Sequence, residues 1–208
     1  MTAGPRVAGL TGATLETAPE VCRSCVWWQS RPGKRADKRR WIEKAETEWG
    51  PWGTVYYEAD GRLLGSMQYG PAELFPRAAE LPAGPPSADA VLVTCAYLVD
   101  AATPWVMQSL FLAAIGDARD KGAGALETFA YDYREHESPY ERFLVHKTIF
   151  PQDFLSDLGF IAVRRVGRVE LARLELGGLV PVTEGTRERV LRVVKDAFAP
   201  APVPAPPL

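Results

Sequence analysis

The sequence is poor in the residues that most often announce a chemistry. It has only two histidines, His136 and His146, and three cysteines, Cys22, Cys25 and Cys95, in 208 residues. Zinc is held by four ligands at set spacings. Beyond Cys22-Arg-Ser-Cys25 only Cys95, His136 and His146 could contribute, none at finger spacing, so no metal site is expected. A redox pair would place the motif at a helix N-terminus after a strand, which Trp27-Trp28 and the Gly-Pro surroundings allow only loosely. The plain reading is two small, half-buried residues beside an aromatic cluster, with metal binding and redox chemistry as the alternatives. Charge is equally uninformative: the net value is −2, which gives no electrostatic case for nucleic acid. Lys and Arg do cluster over 31–40, but Asp37 lies among them and Glu43, Glu46 and Glu48 follow. That stretch reads as a solvated helix end. No apolar run approaches the roughly 20 residues of a membrane span, so no membrane partner is expected. The first residues lack a charged start followed by an apolar core, the pattern of a signal peptide. With few cysteines besides, a reducing, cytoplasmic location is the expectation.

What the sequence does have is a core. At 47% hydrophobic it suits a single domain over 1–198, centred on 50–176, with a last helix over 186–198 and a Pro/Ala-rich tail over 199–208. Residues 90–99, Ala-Val-Leu-Val-Thr-Cys-Ala-Tyr-Leu-Val, form an almost unbroken apolar run that predicts a strand covered on both faces. Residues 100–104 break it. From 105 to 121 Val106, Leu110, Ala113, Ala114 and Ala118 recur at helical spacing, and Gly122 stops the helix. A second strand over 125–131 completes a βαβ unit, whose right-handed crossover makes strands 91–99 and 126–130 parallel. Ligands in such sheets sit beyond the carboxyl ends of the strands, beside the helix N-terminus. The turn over 100–107 is therefore the expected binding place.

Around this unit the chain reads simply. An extended start at 6–10 leads into turn formers, and a helix follows over 35–49 with Trp41, Ile42, Ala45 and Trp49 on one stripe. Asp60-Gly61 joins two strands, 53–58 and 62–69, into a hairpin. Residues 76–87 form a Pro-rich loop into the central strand. A short helix over 150–160, with Pro151 in its first turn and Gly159 as its stop, precedes strands at 161–166 and 168–176.

This order resembles the GNAT superfamily of acetyl-CoA-dependent acyltransferases. Leu110-Phe-Leu-Ala-Ala114 with Ala118-Arg119 and Gly122 is similar to the family's ALLxAAxxxARxxG helix, and Asp153 to Phe160 to its YxxLGF ending. Cys22 to Trp28, Ser87-Ala-Asp-Ala90 and Pro151-Gln-Asp-Phe154 are similar to a subgroup of actinobacterial acetyltransferases. The resemblance implies an α/β fold, a mixed twisted sheet with flanking helices and a splayed central strand pair. It implies acetyl-CoA as cofactor, held by Leu98, Val99, Asp100, Trp105, Val106, Met107 and Gln108. Its acceptor would be a small-molecule or peptide amine.

The chain departs from that family where it would hold pyrophosphate. The R/Q-x-x-G-x-G/A motif falls on Ala102-Thr-Pro-Trp-Val-Met107, so the cation becomes Ala102 and the glycines Trp105 and Met107. No Lys or Arg lies between Asp100 and Asp117. The Tyr that many members use as general acid becomes Leu155, which has no proton to give. Glu127 is the candidate base, and the phenols of Tyr97 and Tyr140 are candidate proton donors. Acetyl-CoA binding is thus expected to be weak or lost. The alternative is an inactive GNAT-fold module whose cleft takes another ligand, a protein partner or a second copy of the chain.

Overall fold

The computed structural model describes residues 6–99, 104–133 and 150–177. Among them a single sheet runs in the order β1-β2-β3-β4-β5-β8-β7, with a two-residue β6 off this path. Its members are β1 (Arg6–Gly9), β2 (Gly53–Tyr57), β3 (Leu63–Pro71), β4 (Ala90–Leu98), β5 (Ala125–Tyr131), β6 (Phe150–Pro151), β7 (Ile161–Val166) and β8 (Val169–Glu175). The helices are α1 (Gly12–Leu15), α2 (Glu20–Ser24), α3 (Lys38–Glu48), α4 (Pro104–Asp120) and α5 (Gln152–Asp157).

The β2–β3 hairpin is antiparallel, and Gly61 takes the positive φ of +84° that its turn requires. β4 and β5 are parallel, as the βαβ reading expects, and the remaining long pairings are antiparallel. Both faces of β4 are covered. Val91 and Val93 face α4 with Leu110, Phe111, Ala114 and Leu126, whereas Leu92 faces the other layer with Trp28, Phe75 and Phe129. That two-sided burial is why 90–98 reads as a continuous apolar run rather than an alternating one.

Three boundaries differ from expectation. α3 begins at Lys38 rather than 35, because the Asp37 side chain accepts from the Arg40 backbone N–H at 3.1 Å and so caps the helix there. Residues 150–151 are not helical. They pair with Ala130 and Tyr131 of β5, and Pro151 stands at the N-cap of α5 instead of inside its first turn. The turn-rich segment after β1 contains α1, whose N-cap Thr11 shares a capping box with Thr14. The last helix expected over 186–198, and the tail, lie outside the described residues.

The layer opposite α4 is an indole cluster. Trp41 meets Trp52 at 4.9 Å and Phe75 at 5.7 Å, and its Nε1 donates to the Leu74 carbonyl at 2.7 Å. At the far side of the sheet β7 is exposed along its whole length, with Ile161 64% exposed.

α4 lies close on the sheet because Gly65 of β3 has no side chain. A Cβ there would stand 2.9 Å from the Val106 Cγ1 and 2.9 Å from the Tyr97 carbonyl oxygen. A Gly65→Ala variant is expected to lose about 1–3 kcal/mol of stability from this overpacking, measured by urea denaturation. An unchanged midpoint would mean that α4 moves away freely.

Candidate functional site at the parting of two strands

The parallel pairing of β4 with β5 begins at Ala90 and Ala125 and stops at Val93 and Thr128. β4 continues to Leu98 and β5 to Tyr131 without touching again. The cause is visible in β3, where Tyr69 opposes Val93 and Gln68 opposes Cys95, leaving Thr94 as one extra residue. Such a bulge bends its strand and increases the local twist. Thr94 is fixed in place by its own hydroxyl, which donates to the Gln68 carbonyl oxygen or to its Oε1, both at 3.1 Å. Gln29 Nε2 donates to the same Oε1 at 3.0 Å. This buried polar knot holds the bend, and the polarity of these residues gave no sequence signal of it.

Beyond Val93 one edge of β4 is bonded to β3 and the other faces the gap, with no strand of the described residues on it. The matching edge of β5 is taken over by β6 at Ala130 and Tyr131, since β8 fills the opposite edge for its whole length. The gap is therefore one-sided: the open backbone groups belong to β4.

α4 reaches this gap with its first turn. Val106 is fully buried against the sheet, while Trp105 is half-buried with its indole edge-on to Tyr56 at 5.3 Å. Met107 also packs against the core. Gln108 Oε1 is buried without a hydrogen-bond partner among the described residues. Leu98 is partly buried on the α4 side, and Val99 is exposed, its N–H donating to the Leu64 carbonyl at 2.9 Å. The structure thus gathers Leu98, Val99, Trp105, Val106, Met107 and Gln108 near one end of the sheet. Asp100 and Tyr140 lie outside the described residues.

Tyr97 sits on the stretch of β4 that no longer pairs with β5, half-buried and on the face away from α4. Leu155 is buried in the core beside the Phe111 cluster, so α5 presents no phenol at that position. Arg164 and Arg165 of β7 are engaged elsewhere. Arg164 donates to the Ala83 and Pro85 carbonyls, and Arg165 pairs with Glu170 at 2.6 Å.

Glu127 meets a different environment from that of a base. It is fully buried and lies at the closed end of the β4–β5 pair, opposite Leu92. Its carboxylate accepts from the Ser87 N–H at 2.7 Å, from the Ser87 hydroxyl at 2.6 Å and from the Arg173 guanidinium at 3.0 Å. Arg173 also pairs with Asp89 at 2.7 Å and Glu175 at 2.6 Å. The carboxylate–guanidinium hydrogen bond holds the Asp89 carboxyl below its usual range, and the three carboxylates together raise Arg173. This clamp fastens the entry of β4 to β5 and β8. A base needs a lone pair facing a substrate, and here the geometry spends both oxygens on the clamp. Arg173, 46 residues away in sequence, carried no local signal of this partnership.

Cys22 and Cys95 are half-buried, whereas Cys25 is exposed rather than half-buried. Cys95 follows the bulge, and burial, with lesser repulsion from Cys25 and Cys22, pushes its thiol up to about 12. Among the described residues no group of three or more His, Cys, Asp or Glu side chains is arranged to hold a metal ion. No helix of the described residues is long and apolar enough to cross a membrane.

No family model and no curated protein matches the chain. Solved structures do. A protein named as a candidate acetyltransferase of Acinetobacter baylyi aligns with a TM-score of 0.50 at 16% identity, covering 85% of this chain and 95% of that one. A GCN5-related N-acetyltransferase from Kribbella flavida gives 0.48 at 19% identity, with 83% and 98% covered. YncA from Salmonella typhimurium, solved with its cofactor acetyl-CoA, gives 0.46 at 14% identity, with 87% and 99% covered. Identities this low speak for the fold alone, and that mixed α/β fold is shared with the Acinetobacter baylyi protein.

Two outcomes follow from the clamp and the thiol. Glu127→Gln keeps the shape but takes the charge from a buried ion pair, so stability should fall by about 1–3 kcal/mol in chemical denaturation. Wild-type stability with lost function would instead restore Glu127 as a reacting group. At neutral pH iodoacetamide should modify exposed Cys25 well before Cys95, whose reaction should accelerate only as pH climbs toward about 12. Peptide mass mapping reads the order, and equal rates at pH 7 would refute it.

Proposed function

We propose that this chain is an acetyl-CoA-dependent N-acetyltransferase whose grip on the phosphate end of the cofactor is weakened. The open edge of β4 beyond Val93 carries the reading. Free N–H and C=O groups along an extended strand pair naturally with an extended chain that bears amides, as in strand addition. The amide-rich arm of acetyl-CoA has that character. Cys95 to Leu98, which are partly exposed, would hold it, with Leu98 forming an apolar wall beneath.

The phosphate end fits less well. A helix N-terminus attracts anions through its free N–H groups and dipole, but α4 starts at Pro104, which has no N–H. Trp105 and Met107 then occupy the first turn with bulk rather than bare backbone. Each charge-assisted hydrogen bond forgone costs about 1.5–3 kcal/mol.

When bound, acetyl-CoA supplies an activated acyl group. Transfer to an amine would need a group to take the amine's proton and a donor to meet the departing thiolate. Tyr97 is the phenol of the described residues that stands on the open stretch of β4, and it serves best as proton donor to that thiolate. Glu127 is held in its clamp, so the amine loses its proton to water or to a group outside the described residues. Tyr140 retains its standing as a second donor on sequence grounds. The absence of an unclamped carboxylate at the gap, among the described residues, favours one second reading: a module that binds an acyl-pantetheine-like ligand without transferring the group.

Calorimetry with two ligands tests the assignment. S-acetylpantetheine has the arm without the nucleotide, and it should bind within about threefold of acetyl-CoA, both at high-micromolar to millimolar dissociation constants. Tighter acetyl-CoA binding by a factor of about 100 would mean that the phosphates are held after all. Binding of neither ligand would remove the enzyme reading. If an amine is acetylated, Tyr97→Phe should slow turnover by about 10²–10⁴ while leaving ligand affinity unchanged. Full turnover in that variant would exclude the phenol.

A further inference from the structure

The layer opposite α4 contains a cleft of about 550 Å³, within the size range of small-molecule sites. Its walls include Trp27, Ser30, Arg31, Lys34, Arg35 and Arg77. No carboxylate is among its lining residues. None of these four cations forms a salt bridge with an acidic side chain among the described residues.

Local structure brings the charges together. Pro32-Gly33 occupies the middle of a tight turn, with Gly33 at a φ of +72°. The flanking residues bond reciprocally, Arg31 N–H to the Lys34 carbonyl at 3.2 Å and Lys34 N–H to the Arg31 carbonyl at 3.0 Å. Proline followed by glycine at positive φ suits a type II turn. Its effect is to set two like charges directly opposite each other, an arrangement that costs stability.

Arg77 comes from the other side, out of the 3-10 turn Pro76–Glu80. Its Nε donates to the Trp27 carbonyl at 2.6 Å, and its guanidinium lies 4.5 Å from the centroid of the Trp27 ring. Those contacts orient the guanidinium while leaving its charge unneutralised by any described carboxylate. The chain as a whole is slightly acidic at −2, so this concentration is not a general basicity of the surface.

We propose that this cleft binds a phosphorylated small molecule. Guanidinium groups match phosphate oxygens in number and geometry, and a bound dianion would relieve the repulsion between Arg31 and Lys34. The site is separate from the acetyl-transfer reading, and its test uses no acetyl-CoA, so either can fail alone.

Inorganic pyrophosphate is the probe, titrated into the full chain at constant ionic strength and followed by calorimetry and tryptophan fluorescence. Saturable binding of one equivalent is expected, with a change in emission from Trp27. A paired Arg31→Gln and Lys34→Gln variant should weaken it by at least about tenfold. Arg39→Gln with Arg40→Gln, on the same basic stretch but outside the cleft, should leave it within about twofold. All four side chains are exposed, so circular dichroism should match wild type in both variants. Absence of saturation at about 10 mM pyrophosphate, a range that already corresponds to less than about 4 kcal/mol, overturns the site. So does an equal loss in both variants, or preferential binding of a DNA oligonucleotide that both weaken alike, because either marks a diffuse surface field.

Discussion

The parting of the two central strands depends on one extra residue in one of them. Thr94 is the residue that β3 does not match, and from it β4 turns away from β5. Without that bulge the two parallel strands would stay bonded to their ends and the sheet would be closed. The bend is held from two sides. A buried knot of Gln29, Gln68 and Thr94 fixes it from within the layer, and the Gly65 contact lets α4 press close below. At the other end of the same pair the clamp of Glu127, Arg173 and Asp89 keeps the strands together. A pair fastened at one end and parted at the other makes a wedge-shaped opening with fixed walls.

The framework was legible because it rests on short-range chemistry. The hairpin at Asp60-Gly61, the apolar run of β4, the helical spacing in α4 and the glycine stops at 122 and 159 each state their structure within a few residues, and each is found there. Residue 150 was misread for a reason of the same kind. Phe150-Pro151 looks like the opening of a helix, and only the edge that β4 leaves on β5 makes it a strand. The site was less legible, since its partners are distant in sequence. Glu127 looked like a free carboxylate in a strand because Ser87 and Arg173 are 40 and 46 residues away. The basic stretch over 31–40 looked like a solvated helix end. Part of it is that, since Arg39 pairs with Glu43 at 3.3 Å. Arg31, Lys34 and Arg35 lie before the cap at Asp37, and the structure sets them around an open surface cleft with Arg77.

The contrast between Glu127 and those cations shows how burial divides charge between two uses. Glu127 is completely enclosed, and a buried ion pair of this kind mostly specifies which elements meet; replacing it by apolar residues can be neutral for stability. Arg31, Lys34 and Arg35 at the cleft are exposed to water and, among the described residues, remain available. One buried carboxylate with every oxygen engaged organises the fold. Several cations with no carboxylate partner among the described residues leave a field for something outside the chain.

The exposed strand β7 carries a consequence for how copies of this protein meet each other. Among the described residues the sheet ends at β7, and an end strand presents a row of unpaired backbone groups, the template on which chains stack edge to edge. Ile161, Val163 and Val166 make that row attractive to another strand. Between them stand Arg164 and Arg165, one tethered to the carbonyls of Ala83 and Pro85 and the other to Glu170. A second chain approaching this rim must strip water from two guanidinium groups and disturb contacts that already satisfy them.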